Sequence, residues 1–535
     1  MEQIKEVFIA LKPEVAGDEI VSLKVTVRMP DAAYLSREQF DTMPVTLASC
    51  RCTCYEGGDI TARDALGDVP INIEREVGCY GPQLSYSFGR DTNGELTLCY
   101  SCTLPDFDPT ARNPGLSLCR HERGVTGAGL TFLLLPQGLC NFHLAWDWSD
   151  CGDDSVGIAG CENGDFSRTC TRFSFKYVYY AFGQLSEYNR PGSKLHVFTL
   201  DRDDRYFDEL VEIVGEYFDH MEGFFHDGDC PYHIILYPTK RTLLTGTAQL
   251  RCCYLGFGAD FIVNSLSEVE DVLAHELTHN WCSIADNVSE DEGLSSLYME
   301  GTAEYYSSAM LYRSGQNGIG AYVSSINAKL RDYYANPFRE CAYRETYDKS
   351  WTHAFAQRVP YNRGIIMFMQ LDSAIRNVSS GNYSLDDLVL HIIDDGKSGK
   401  TVDWDGFVKL ADEFSGGAAA DIIDATLAGG LMLPPGDFFG SEYKLVETSI
   451  PIECEGFDFT VRFEPEKTIH GLIPGSNAEK AGLRNGDKII SLITDSAAPG
   501  RDLPLSHCKV IRDGEIMQFD YIARGQEASC WQYIR

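Results

Sequence analysis

The 535-residue chain has no apolar run approaching the roughly 18–20 residues that cross a bilayer. Its tightest run, Gly129-Leu-Thr-Phe-Leu-Leu-Leu135, reads as a buried strand. Positive charge is also scarce: 45 Lys and Arg stand against 79 Asp and Glu, a formal net charge of −34. That excludes the basic stripe of a nucleic-acid binder and disfavours an anionic membrane surface, so neither nucleic acid nor membrane is expected as a partner. What the charge favours is solubility and a mild attraction for cationic substrates, free amines among them. The first residues, MEQIKEVFIALKPE, lack a basic stretch, an apolar core and a small-residue cleavage site. No signal peptide is read, and a cytoplasmic location is expected. There is no internal repeat and no low-complexity block.

Cysteine, by contrast, is plentiful at 19 residues. An odd count without a leader argues for reduced, buried, apolar thiols rather than a disulfide framework. Disulfides stay open only for export by an unconventional route. Cys50-Arg-Cys-Thr-Cys54 with Cys99-Tyr-Ser-Cys102 is the thiol cluster a metal would use, at a spacing that matches no standard zinc pattern.

Periodicity divides the rest. Up to about residue 190 the chain reads as strands and turns: Leu23, Val25, Val27 and Met29 alternate with polar residues, as do Phe173, Phe175, Tyr177 and Tyr179. After Asn189-Arg-Pro-Gly192 a strand (194–200) leads to a helix, with Phe207, Leu210, Val211, Val214, Phe218 and Met221 at helical spacing. A further strand follows at Tyr232–Tyr237, and helices are expected from Ser267 to about Gly417. A Gly/Ala/Pro-rich stretch ending in Leu433-Pro-Pro-Gly436 marks a linker at 430–445. The fold class is therefore multidomain α+β. The expected divisions are an all-β N-terminal domain (1–190), a mainly helical domain (191–435) and a small C-terminal β domain (440–535).

The sharpest chemical signal is His275-Glu276-Leu-Thr-His279. Ser267-Glu-Val-Glu270 has the spacing of a capping box, which would start a helix just ahead of it. On that helix His275 and His279 lie one turn apart on one face and can meet on one Zn²⁺. Glu276, rotated by about 100°, points beside the metal, where it can take a proton from water. A catalytic zinc needs a third protein ligand, and Met299-Glu300-Gly-Thr-Ala-Glu304 offers one on a following helix, 21 residues after His279. Glu300 is placed as the ligand. Glu304, one turn on, would accept a hydrogen bond from the outer nitrogen of a ligating histidine. The reversed assignment, Glu304 as ligand, is the alternative. Val359-Pro-Tyr361-Asn-Arg-Gly364 opens another helix, from whose start Tyr361 can donate to an oxyanion. Gly246-Thr-Ala-Gln249 precedes the strand-like run from Cys252, an edge that could hold an extended peptide by its main chain.

HELTHNW (275–281), MEGTAEYY (299–306) and Pro-Tyr-Asn-Arg-Gly (360–364) resemble the gluzincin zinc metallopeptidases, in particular the glycyl aminopeptidase family. The resemblance implies a β-rich N-terminal domain, a thermolysin-like catalytic domain and a C-terminal PDZ-like domain, with one Zn²⁺ per chain. The stretch from His470 to Ile490 resembles a PDZ segment in which a strand, a short helix and a Gly-Asp turn lead to the next strand. Gly482 suits the helix cap and Asn485-Gly486-Asp487 the turn. Gly456-Phe-Asp-Phe459 is the nearest candidate for its carboxylate loop. Two positions depart from the family. Gly246-Thr-Ala-Gln249 stands where the family carries a Gly-Gly-Leu-Glu type motif whose glutamate grips the substrate amine, and here that residue is Gln249. Arg363 replaces the usual lysine beside the tyrosine.

The resemblance implies hydrolysis of short peptides from the amino end, with peptides as partners and a peptide or intramolecular contact at the PDZ-like domain. The first alternative is an endopeptidase or a hydrolase of N-blocked peptides, since an uncharged Gln249 binds an ammonium more weakly. The second is an inactive PDZ-bearing binding protein.

Overall fold

The computed structural model describes the chain apart from residues 1–3, 18, 33–34, 36–38, 48–49, 57, 79–80, 108–113, 201–206, 229–230, 240–244, 259–265, 286–292, 351–353, 459–460, 462–465 and 495–504. By internal contacts it falls into two compact units, residues 1–280 and 281–535. The chain is mixed α+β, as its periodicities require. No helix among the described residues is long and apolar enough to cross a membrane.

The first unit is built on a seven-stranded sheet and a five-stranded sheet. In the larger sheet Lys5–Ala16 lies between Leu139–Trp146, which runs parallel to it, and Glu19–Met29, which runs antiparallel. Strict alternation buries Val7, Ile9 and Leu11 and, from the next strand, Leu23, Val25, Val27 and Met29. Two sequence expectations fail here. Gly129–Leu135 is largely buried but is not a strand: it opens with a 3-10 turn, Gly129–Thr131, the Phe132 and Leu133 N–H groups turn back to the Gly129 carbonyl, and the last two donors find side chains. The Leu134 N–H donates to the Tyr100 hydroxyl at 3.0 Å and the Leu135 N–H to Asp41 at 2.8 Å. The alternating Phe173–Tyr179 run is interrupted by a short helix, Arg172–Lys176, because Thr171 caps it by accepting from the Ser174 N–H at 3.2 Å. The strand proper is Tyr179–Gly183.

A second five-stranded sheet completes this unit, with Leu195–Thr199, Tyr232–Thr239 and Cys252–Gly258 parallel and Thr245–Gln249 antiparallel at its edge. The helix Leu266–Thr278 packs against that edge strand. Its expected capping pair, Ser267 and Glu270, lies outside the described side chains.

In the second unit the helices Leu294–Arg313 and Val359–Val378 cross at two glycines. A Cβ on Gly301 would sit 2.7 Å from Gly364 Cα, so only glycine at both positions lets the backbones touch. Pro360 stands in the first turn of the second of these helices, where its missing N–H costs nothing. Leu385–Lys397 begins at Ser384, whose N–H donates to Asp387 at 2.8 Å in a capping box. C-terminal strands follow. Lys444–Glu453 pairs with Arg524–Ile534, and Lys488–Thr494, Ser506–Arg512 and Glu515–Tyr521 form a three-stranded sheet over a small core of Val461, Ile469, Leu483 and Val510. The short helix Asn477–Ala481 ends on Gly482 at φ 107°, the left-handed cap read from the sequence.

Candidate metal centre

The helix Leu266–Thr278 is anchored by Leu273, Ala274 and Leu277, all buried. That leaves His275 and, in the turn just past its end, His279 half-buried on a shared face. Their rings stand nearly perpendicular, and the two Nε2 atoms approach to 3.1 Å. Neighbouring corners of a tetrahedron with bonds near 2.05 Å are about 3.3 Å apart, so this spacing fits two ligands of one zinc. One carboxylate oxygen of Glu300 and one nitrogen of each histidine all lie within 4.8 Å of one another. Among the described residues this is the only group of three or more metal-ligating side chains. Glu304 is not part of it. A set of two imidazoles and one carboxylate suits zinc and leaves a coordination position over.

Glu276 is buried, at 8% exposure. Its carboxylate lies against Gly246, where a Cβ would come within 2.7 Å of Oε1. Behind it, burial and then the charge of Glu276 push the Cys253 thiol well above its ordinary range. The edge strand holds Gln249 differently. Register along Thr245–Gln249 is unbroken, so Gly246 and Gln249, three apart, present opposite faces. Gln249 is buried and its Oε1 accepts no hydrogen bond among the described residues.

Glu304, also buried, accepts from the Lys329 ammonium, which further donates to the Glu304 carbonyl and the Ser307 hydroxyl at 3.1 Å each. Tyr361 is half-buried in the first turn of its helix, with the Arg358 guanidinium carbon 4.3 Å from its ring centroid. Desolvation works against the charge on Arg358. The carboxylate of Glu304 and then Tyr361, Asp332 and Glu300 outweigh it and hold Arg358 above its ordinary pKa. Arg363, expected beside the tyrosine, is a structural clamp: it is 1% exposed and donates to the carbonyls of Thr426, Phe338, Arg339 and Cys341. The cation beside Tyr361 is Arg358, which the sequence reading passed over. The available signal was its spacing, one turn before Tyr361 at a helix start. Lys329 carried no such signal, because a lone lysine in an amphipathic helix is ordinarily solvated.

Among the described residues the thiol cluster does not bring three ligand atoms together. Burial pushes the Cys52 and Cys102 thiols up to about 12, and no cysteine among the described residues is in a disulfide.

No protein-family model matches the sequence, and neither does any curated protein. Solved structures do share the fold. An aminopeptidase N family protein from Idiomarina loihiensis is 13% identical, with 99% of this chain and 97% of that one aligned and a TM-score of 0.62. Leukotriene A4 hydrolase from Saccharomyces cerevisiae is 13% identical over 81% of this chain and 69% of that one, with a TM-score of 0.52. The multidomain α+β architecture read from the sequence is the one these structures share with this chain.

Proposed function

We propose that the chain is a zinc-dependent peptidase acting on short peptides from the amino end. The observation that carries this reading is the convergence of one donor atom each from His275, His279 and Glu300, beside a buried Glu276. The fold it shares with an aminopeptidase N family protein supports it.

His275, His279 and Glu300 would hold one Zn²⁺ per chain. Zinc bound there supplies a Lewis acid that polarises a carbonyl and makes water ionise near neutral pH. Glu276 takes the proton of the attacking water and passes it to the departing amine. The Tyr361 phenol donates to the oxyanion that forms as the carbonyl is attacked. The edge strand Thr245–Gln249 holds the peptide in extended form through its main chain. Glu304, with Lys329 behind it, keeps a ligating histidine in one orientation.

Gln249 favours a second reading. It is uncharged, turned to the opposite face from Gly246, and buried, so it offers little to a free ammonium. Cleavage of internal bonds or of N-blocked peptides follows if no other group takes the amine. The C-terminal strands are read as a PDZ-like domain that holds a peptide or packs within the chain.

Glu276→Gln is the deciding experiment. The zinc-loaded variant should bind one metal per chain and lose turnover, and retained turnover would remove Glu276 as the base. Comparing one short peptide with its N-acetylated form separates the two readings: an amino-end peptidase cleaves only the free form.

A further inference from the structure

The cations around Tyr361 are not equally occupied. Lys329 spends its three donors on the Glu304 carboxylate, the Glu304 carbonyl and Ser307. Arg363 is buried among four carbonyls. Arg358 is different. Among the described residues its guanidinium makes no hydrogen bond, and the nearest carboxylate oxygen, Oε1 of Glu304, lies 3.9 Å away. The other oxygen of Glu304 already belongs to Lys329. The Arg358 side chain remains 48% exposed. Its direction is nevertheless set, because the guanidinium stacks on the Tyr361 ring at 4.3 Å. A planar fork of five donors, oriented by the phenol that receives the oxyanion and left unspent, is suited to bidentate recognition of a carboxylate. In a chain of net charge −34 an anionic group is not drawn in by the overall field, so a local cation must recognise it.

We propose that Arg358 is a specificity-determining residue that binds a substrate carboxylate next to the scissile bond. The substrates are then short peptides with a free C-terminus within a residue or two of the cleavage site, or peptides with an acidic side chain there. This rests on the peptidase reading for the place of the scissile bond, but its test does not depend on turnover.

Full-length, zinc-loaded Glu276→Gln protein is titrated calorimetrically with three probes: Ala-Ala-Ala as the free acid, Ala-Ala-Ala amide, and Ala-Glu-Ala amide. Either the acid or the glutamyl amide should bind at least about tenfold more tightly than Ala-Ala-Ala amide, as one charge-assisted hydrogen bond allows. Which of the two does so identifies the source of the carboxylate. The gap should vanish when Arg358→Gln is added and shrink with Arg358→Lys, which keeps the charge but not the fork. Arg358→Lys alone carries the test should Arg358→Gln fail to fold. Equal affinities, no binding by any probe, or a gap untouched by either substitution overturns the proposal. Wild-type enzyme that cleaves acid and amide equally well would overturn it while leaving the peptidase intact. Carboxylate discrimination without any wild-type cleavage would do the reverse.

Discussion

The backbone of Gly246 lies directly against the carboxylate of Glu276: a Cβ there would meet Oε1 at 2.7 Å, Cγ at 2.8 Å and Cδ at 2.9 Å. The edge strand and the proposed base are thus shaped to each other, and the glycine is required by close approach rather than by a turn. In Gly246→Ala the group that must yield is a side chain, not backbone. The fold should survive, with a melting temperature within a few degrees of wild type, while Glu276 is pushed off its position. Since a positioned base contributes about 10²–10⁴-fold, kcat should fall roughly 10- to 100-fold at unchanged zinc content. Loss of metal instead would mean that the glycine shapes the ligand helix and not the base.

Tyr361→Phe removes only a hydroxyl, and the ring keeps its stack with Arg358. If the phenol donates to the oxyanion, its loss acts on the transition state alone. Steady-state kinetics should show kcat lowered by about 10²–10³ with KM within a few-fold of wild type. A change confined to KM would make Tyr361 a binding residue.

Much of this was legible from spacing. His275, Glu276 and His279 occupy fixed angular positions on any helix, and Glu300 follows at a separation that lets a second helix return. Local chemistry equally marked Gly482 as a helix cap. What escaped depends on partners distant in sequence. The Gly129–Leu135 run reads as a strand, but it folds into a 3-10 turn whose last two donors are taken up by Tyr100 and Asp41. Arg363 and Arg358 are indistinguishable as charges near a tyrosine. Only the fold shows that one is sunk among the carbonyls of Phe338–Cys341 while the other stacks on the ring.

Two histidines of the first unit should make its stability fall in mild acid. His121 is stacked on Phe107 and bonded to Thr126 at 2.7 Å, and His233 is fully buried with neither ring nitrogen hydrogen-bonded among the described residues. Burial holds both down to about 3. In the unfolded chain each titrates near 6.5, so between those values only the unfolded state takes the proton. Stability is then complete above pH 6.5 and is lost as pH falls toward 3, by up to about 1.4 kcal/mol per pH unit for each histidine. Urea midpoints should drop between pH 7 and 5.5, equivalent to about 2–3 kcal/mol, before most carboxylates titrate. His233→Phe should remove about half of that dependence. An unchanged slope would show that His233 takes up its proton in the folded state.

Gly364→Ala tests the other close approach, and its expected signature differs from that of Gly246→Ala. At Gly364 the added carbon meets the Gly301 backbone itself, more tightly than the 2.7 Å that a Cβ on Gly301 would leave to Gly364 Cα. No side chain can give way, so the helices Leu294–Arg313 and Val359–Val378 must separate. Overpacking of this kind costs about 1–3 kcal/mol, and the urea midpoint of the second unit should fall accordingly. Glu300 adjoins one glycine and Tyr361 lies three residues before the other, so spreading the crossing also shifts a ligand and the oxyanion donor. Stability, zinc affinity and kcat should therefore decline together. Lost stability with zinc affinity and kcat intact would mean that the crossing supports the fold without setting the positions of Glu300 and Tyr361.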